Sequence, residues 1–360
     1  MITAKFGGTA VTPRNLVYLK KIISPFHKVV VVSAVGKEFS SDVKTTDLLE
    51  KYFFSGDDNI WKAVEDKYRR LTEVNGIGID VDELLFGAKA RARRYGLQYC
   101  MSLGEELSAK IVAEYLGAAY VEADEVVRFG VRSLLFKETM SAMSNAYKGV
   151  KLAVTGGYYG MGKYGRQTFS RGGSDVTGAL CAAATTSSLY ENWTDVYGVC
   201  VADPVKVYGV STIRSMSYSE MRALSRGGAE VLHPSAISPA ERFSIPIKIG
   251  NFYNPQGAST LVSQCYSQNK LLSVTEQRVD GKIKTTILHN MNFAEISAVV
   301  SGFFGERYSV LNCFGVSINT EKNKTYSCVF SKNKAVLVTE STVIEDLYKY
   351  LRRAELIKVD

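Results

Sequence analysis

Two short strings in this chain combine a cation with flexible backbone, the pairing that anion handling requires. In Lys5-Phe6-Gly7-Gly8-Thr9, adjacent glycines let backbone N–H groups approach phosphate oxygens, and the Lys5 ammonium adds a point charge. An ordinary strand-to-helix turn would account for the same string. Phe169-Ser-Arg-Gly-Gly-Ser-Asp-Val-Thr177 is richer. The small residues after it, Gly178 to Thr186, read as a helix, so Ser174 or Asp175 stands at a helix N-terminus. Unpaired N–H groups and about half a positive charge at such an end suit phosphate or carboxylate. Arg171 can grip a carboxylate through two parallel hydrogen bonds. Capping by Ser174 and Asp175 is the alternative, but it leaves an arginine followed by two glycines unexplained. In Ser102-Leu-Gly-Glu105, Glu105 is either a first-turn acid complementing a helix dipole or a partner for a substrate ammonium. Trp193-Thr-Asp-Val-Tyr-Gly198, followed by Ala202-Asp-Pro204, reads as a strand end and loop. That loop is either a surface turn or a nucleotide edge of an open sheet.

The elements that position these strings alternate. Ile2 to Phe6 reads as a strand, and Thr12-Pro13 offers an N-cap and first helical proline for a helix carrying Leu16, Leu19, Ile22 and Ile23. The apolar run from Val29 to Val32 fits a strand buried on both faces. A polar loop from Gly36 to Thr46 precedes helical sequence to about Tyr95, and a further helix spans about Ser102 to Leu116. Short strands are expected at Ala119–Glu122, Leu152–Thr155, Tyr190–Trp193 and Pro246–Ile249. This alternation predicts a mainly parallel sheet covered by helices. Near residue 268 the texture changes. Strand-like pieces at Lys284–Leu288, Tyr326–Phe330 and Ala335–Val338 surround helical patterns at Phe293–Phe304 and Thr342–Arg353, a small α+β module.

Composition narrows the classes. A chain of 360 residues that is 46% hydrophobic and 22% charged is expected to fold, with room for two domains. A net charge of +8 suits anionic ligands without selecting nucleic acid. The six cysteines form no CxxC pair and the three histidines are scattered, so neither a disulfide framework nor a metal site is expected. No leader-like or membrane-length apolar segment is seen, and the expectation is a soluble cytoplasmic protein with no membrane partner. Gly160 to Gly165 matches GxGxxG and Gly157 to Lys163 matches GxxxxGK, but Tyr164 stands where a P-loop needs Ser or Thr and loop-like sequence follows. The basic run Lys89, Arg91, Arg93, Arg94 is read as a helix face, not a nucleic-acid patch.

Taken in order, Lys5-Phe-Gly-Gly-Thr9, Val30-Val-Val-Ser-Ala34, Thr46-Asp-Leu-Leu49, Ser102-Leu-Gly-Glu-Glu-Leu-Ser108, Ser170-Arg-Gly-Gly-Ser-Asp175, Trp193-Thr-Asp195, Ala202-Asp-Pro204 and Val231-Leu-His-Pro234 resemble the aspartate kinases of the amino-acid kinase superfamily. Tyr190-Glu-Asn-Trp-Thr-Asp195 with Thr168-Phe-Ser170 is most similar to its clostridial branch. The resemblance spans roughly residues 1–265. It implies a three-layer α/β/α catalytic domain over 1–267 and a shortened ACT-like regulatory module over 268–360. It also implies transfer of the ATP γ-phosphate to the side-chain carboxylate of L-aspartate, with Mg2+. The product is 4-phospho-L-aspartate, the first step of lysine, threonine and methionine biosynthesis. By matching position, Lys5 and Asp175 are the catalytic pair. Lys5, Phe6, Gly7, Gly8, Thr194 and Asp195 hold the nucleotide. Thr46, Glu105, Arg171 and Ser174 hold aspartate, and no protein metal ligand is assigned. A homo-oligomer and a lysine or threonine effector are family expectations, with Asn312 to Ile318 where an effector loop would fall.

The chain departs from the family pattern at Cys200, Val205 and Glu230, where tyrosine, arginine and lysine are usual beside the nucleotide. Lys206 is a candidate replacement for the missing arginine charge. Two alternatives therefore stand beside an active aspartate kinase: a catalytically weak regulatory or ligand-binding paralogue, and a kinase with another amino-acid acceptor.

Overall fold

The computed structural model describes residues 1–131, 133–170, 172–226, 231–265, 271–304, 316–319, 325–331, 334–339, 344–354 and 356. Arg171, Glu230 and residues 312–315 of the expected effector loop lie outside the described residues. The chain divides into two compact units, Met1–Val196 with Ser235–Gly257 and Tyr197–Pro234 with Ala258–Asp360.

The first unit opens with β1 (Ile2–Phe6), α1 (Val17–Ile22) and β2 (His27–Val32). Four helices follow: α2 (Thr45–Ser55), α3 (Asp58–Asn75), α4 (Val81–Ala92) and α5 (Leu97–Leu116). Then come β3 (Ala119–Tyr120), α6 (Ala123–Val126), α7 (Phe136–Tyr147) and β4 (Ala153–Gly156). A hairpin of β5 (Tyr159–Gly162) and β6 (Gly165–Thr168) leads to α8 (Gly173–Ala184) and β7 (Leu189–Thr194). The chain contributes β8 (Ser215–Ser217) and α9 (Tyr218–Arg226) to the second unit, then returns through α10 (Pro234–Arg242) and β9 (Ile247–Asn251).

In this unit the strands run β3-β4-β2-β1-β7-β9, every neighbouring pair parallel. Val29 to Val32 are all fully buried, as expected for a strand flanked by two others and covered on both faces. Register matters more for function. Phe6 sits beside Val32 and Trp193, and Val32 sits beside Gly156, so the segments after β1, β2, β4 and β7 all leave the sheet at one carboxyl edge. A core around Trp61, Tyr68 and Leu71 packs the helices α2 to α5 together. Asp57 and Asp80 cap α3 and α4 through Asn59 N and Glu83 N, each at 2.9 Å.

Three expectations are corrected. Thr12 and Pro13 do not start a helix: successive tight turns on the Gly7, Gly8 and Thr12 carbonyls occupy that stretch, and α1 begins at Val17. Helix α5 begins at Leu97, not Ser102, so Glu105 lies in mid-helix and has no first-turn dipole role. Arg166 to Thr168 form a strand, not a loop. The hairpin also explains the glycines of the two rejected phosphate-loop matches. A side chain at Gly160 would lie 2.5 Å from the Val127 carbonyl oxygen, and one at Gly162 would lie 2.5 Å from Gln167.

In the second unit, β10 (Ser259–Ser263) pairs in parallel with β8. Helix α9 opens with a reciprocal cap in which Ser217 Oγ accepts from Glu220 N and Glu220 Oε2 accepts from Ser217 N. An antiparallel five-stranded sheet follows, in the order β11 (Leu271–Val279), β12 (Lys282–His289), β15 (Lys334–Thr339), β14 (Thr325–Ser331), β13 (Val316–Asn319). Helices α11 (Phe293–Phe304) and α12 (Ile344–Arg353) accompany it. Among the described residues, no helix is long and apolar enough to cross a membrane.

Gly36 shows how tightly the carboxyl edge is built. Its N–H donates to Gly8 O at 3.0 Å, and a Cβ there would lie 2.4 Å from the Gly8 carbonyl carbon. Because that contact is backbone on backbone, no rotamer can relieve it. Gly36→Ala should cost about 1–3 kcal/mol by overpacking, read as a lowered urea midpoint at unchanged m-value.

Candidate active site

Lys5, near the carboxyl end of β1, directs its ammonium to Asp175 in the first turn of α8. Lys5 Nζ and Asp175 Oδ1 are 2.7 Å apart, with the two side chains only 11% and 14% exposed. Asn192, paired with Lys5 across β7, donates to Asp175 Oδ1 at 3.1 Å, and its own Oδ1 lies 3.4 Å from Lys5 Nζ. The Tyr190 hydroxyl donates to the Asp175 carbonyl at 3.1 Å. That contact requires Gly178, because a Cβ there would sit 2.6 Å from the Tyr190 hydroxyl. Helix α8 starts after Gly172, which takes the left-handed conformation at φ +60, and no side chain caps it. Ser174 and Asp175 therefore do not cap α8, and its first-turn N–H groups are not taken by a capping side chain.

The glycine string lies beside this pair. Phe6 is fully buried, so only its backbone faces the edge, and Gly7 N donates to Trp193 O at 3.3 Å. Gly7 stands over the lysine: a Cβ there would be 3.6 Å from Lys5 Nζ. At the end of β7, Thr194 Oγ1 donates to Asp195 Oδ1 at 3.2 Å, and Asn251 Nδ2 holds the Asp195 carbonyl at 3.1 Å.

A second cluster closes the same edge from α5 and β4. Gly104 has no side chain to keep α5 away from Ala34, where a Cβ would meet the Ala34 methyl at 2.8 Å. That approach lets the Ala34 N–H donate to the Glu105 carboxylate. The other oxygen, Oε2, has no hydrogen-bond partner among the described residues, and Glu105 is 4% exposed. Burial pushes its carboxyl up to about 8, against only backbone hydrogen bonds acting to lower it. Gly156 backs onto the Glu105 carbonyl, and Gly157 backs onto Ser174, where a Cβ would lie 2.5 Å from the serine oxygen. Tyr158 follows at φ +78, a conformation that costs a side-chain-bearing residue energy. Thr46 lies half-buried in the first turn of α2, while its neighbour Thr45 is buried and donates to Val35 O at 2.6 Å.

Lys5, Gly7, Gly8, Ser174, Asp175, Glu105 and Thr194 thus gather at the carboxyl edge of one sheet, Lys5 touching Asp175 directly and Glu105 linked to Ser174 through Gly156 and Gly157. Val205 and Lys206 belong to the second unit, where Val205 is 93% exposed and Lys206 Nζ lies 3.7 Å from Glu276 Oε2. The lysine proposed to replace the missing arginine charge is therefore engaged with a carboxylate. Cys200 is half-buried in the same unit. The basic run on α4 is also committed: Lys89 pairs with Asp58 at 2.7 Å, Arg91 with Glu106 at 3.1 Å, and Arg93 donates to Phe53 O at 3.1 Å.

Sequence reasoning missed Asn192, Tyr190 and Tyr158. A signal existed for Asn192, since a polar residue inside a buried strand demands a partner. None existed for Tyr158, whose positive φ coincides with close backbone packing against Gly173, where a Cβ would lie 2.8 Å from Tyr158 Cα. Chemically, the edge offers a cation held by an acid, a helix N-terminus without a capping side chain, and a buried carboxyl with an unpartnered oxygen.

Comparison with known proteins agrees with this geometry. The amino acid kinase family model matches residues 1–251. Aspartokinase 3 of Bacillus subtilis is 33% identical over 290 residues, which cover 73% of this chain but 63% of that protein. Among solved structures, aspartate kinase of Clostridium acetobutylicum superposes with a TM-score of 0.82 at 23% identity, covering 98% of this chain and 100% of that one. Escherichia coli aspartokinase III, solved with lysine and aspartate and with aspartate and ADP, gives TM-scores of 0.67 and 0.68 at 22% identity, covering 99% of this chain and 83% of that one. With the family model spanning residues 1–251, well over half of the chain and each segment described at the carboxyl edge, the chain belongs to the amino acid kinase family.

Proposed function

We propose that this protein is an aspartate kinase, transferring the γ-phosphate of ATP to the side-chain carboxylate of L-aspartate. One juxtaposition supports this reading above the rest. The Lys5–Asp175 pair lies at the same carboxyl edge as the segment Gly156–Gly157, which packs on both Glu105 and Ser174, so a phosphoryl-stabilising cation and an ammonium acceptor serve one edge. A carboxylate is already nucleophilic near neutral pH and needs no general base. What remains is to bring two anions together and neutralise the charge developing on the phosphoryl oxygens.

Each group then has a task. Asp175 and Asn192 hold the Lys5 ammonium beside Gly7, against the transferring group. The uncapped α8 N-terminus favours an anion next to Ser174. Glu105 takes the substrate ammonium, Thr46 and Arg171 complete the aspartate side, and Thr194 and Asp195 border the nucleotide. Magnesium would enter with the triphosphate. Its ligands would be mainly phosphate oxygens and water, with the Asp195 carboxylate at the end of β7 the nearest acid on the nucleotide side. Residues 1–267 serve as the catalytic domain and 268–360 as an ACT-like regulatory module. The lysine-bound state of the Escherichia coli relative makes lysine the first effector to test, with threonine next, in a homo-oligomer.

Trapping aspartyl phosphate as the hydroxamate, across a panel of acceptors with ATP and magnesium, tests the assignment. Aspartate should be the preferred acceptor, and a preference for glutamate or no hydroxamate at all sinks it. Lys5→Ala should lower kcat at least tenfold in a protein with an unchanged circular dichroism spectrum; full turnover in that variant removes Lys5 from the mechanism.

Glu105 sets the pH dependence. Its carboxyl stays neutral below about 8 and ionises above it, and only the ionised form attracts an ammonium. Aspartate KM should therefore fall as pH rises through about 8, until the substrate ammonium itself deprotonates. The same shift acts on stability with the opposite sign. The raised carboxyl contributes fully below its unfolded value of 4.5, and this contribution is lost as pH rises towards about 8. Glu105→Gln should flatten both profiles, and an unaltered KM profile in that variant would show that another group titrates.

A further inference from the structure

Strand β6 carries a buried cation that the phosphate edge does not explain. Arg166 is 8% exposed, and each of its nitrogens has a partner. Nε donates to Asp124 Oδ2 at 2.7 Å, and one terminal nitrogen donates to Glu106 Oε2 at 2.6 Å and Ser102 Oγ at 3.2 Å. The other terminal nitrogen lies 3.4 Å from Glu122 Oε2. The Tyr99 and Tyr159 rings stack on the guanidinium, 4.5 and 4.7 Å from its carbon. Lys110 and Arg91 also reach Glu106, at 2.6 and 3.1 Å.

A buried network of this kind is a poor way to gain stability, because its charges leave water at a cost that an apolar cluster avoids. What it supplies is direction. A guanidinium with fixed donors admits one arrangement of its partners, whereas packed methyl groups admit several. The partners come from three segments: α5 through Tyr99, Ser102 and Glu106, the α6 region through Glu122 and Asp124, and β5 through Tyr159. Glu106 is adjacent to Glu105 in α5. Tyr159 is adjacent to Tyr158, and the chain runs from Arg166 through the end of β6 at Thr168 straight to Phe169 and Ser170. Phe169 N donates to Tyr158 O at 2.8 Å, so the two arms of the hairpin enter the acceptor side together.

We propose that Arg166 is a positioning residue for the acceptor amino acid, fixing the hairpin arms that lead to Tyr158 and Ser170 against the α5 turn that carries Glu105. This rests on the aspartate kinase reading. None of the Arg166 partners lies on β1, β7 or α8, which carry Lys5, Asn192 and Asp175, so the effect should fall mainly on the acceptor.

The test uses the full chain and Arg166→Lys, which keeps the charge but cannot span three carboxylates. Aspartate KM should rise at least fivefold, while ATP KM and kcat at saturating aspartate stay within about threefold. Hydrogen exchange should quicken in residues 157–170 and stay unchanged in 2–8 and 189–195. Arg69→Lys, whose ion pairs with Asp82 and Glu65 lie on the outer side of α3, should change none of these. Asp124→Asn removes one partner and leaves the guanidinium in place. It should give the same split at smaller size, and it decides the matter if Arg166→Lys does not fold. Equal rises in both KM values, or lost thermal stability with unchanged aspartate KM, overturn the proposal and leave Arg166 a fold residue. A wild-type protein that phosphorylates no aspartate overturns the reading of the reaction itself, a result distinct from an active wild type whose variants lack the split.

Discussion

Lys5 and Asp175, far apart in the first unit's sequence, meet at 2.7 Å, both largely removed from water. A cation and an acid so placed must each find the other, since either alone would bear an uncompensated desolvation cost. Much of the neighbouring structure serves that meeting. Strand β7 lies between β1 and β9 and brings Asn192 level with Lys5. Gly178 lets Tyr190 reach the carbonyl of Asp175 from below. The left-handed Gly172 starts α8 at the height of the lysine, without a capping side chain over its first N–H groups.

The adjacent glutamates of α5 illustrate how packing assigns chemistry. Glu105 and Glu106 are the same residue type on one helix, both buried, yet their carboxyls are driven apart. Burial alone would raise both. Arg166 and Lys110 overcome it at Glu106 and hold that carboxyl down at about 2, whereas backbone N–H contacts do not overcome it at Glu105, which rises to about 8. One glutamate is a permanent anion committed to the scaffold. The other is held neutral by burial, with an open oxygen that a cation can meet once the carboxyl ionises.

Much of this was legible in the chain beforehand. The valine run of β2, the glycine pair after β1 and the small residues of α8 announced a parallel sheet with an anion-handling edge, because continuous apolar strands and glycine turns have few other uses. The C-terminal strand and helix patterns were visible for the same reason. Boundaries fared less well. Thr12-Pro13 has the composition of a helix start, but glycine-led turns claimed that backbone first. The start of α5 was placed late because Gln98, Tyr99 and Cys100 break the apparent stripe, although Cys100 is fully buried.

The sequence by itself determined the order of elements and the inventory of charges at the sheet edge, since both follow from local spacing and residue type. It could not say which acid keeps a vacant oxygen, that Arg166 would tie three segments together, or that Lys206 would be engaged by Glu276. Those outcomes depend on what approaches each side chain from distant parts of the chain. Electrostatic character inside a protein is set by neighbours and burial, and only tertiary packing supplies either.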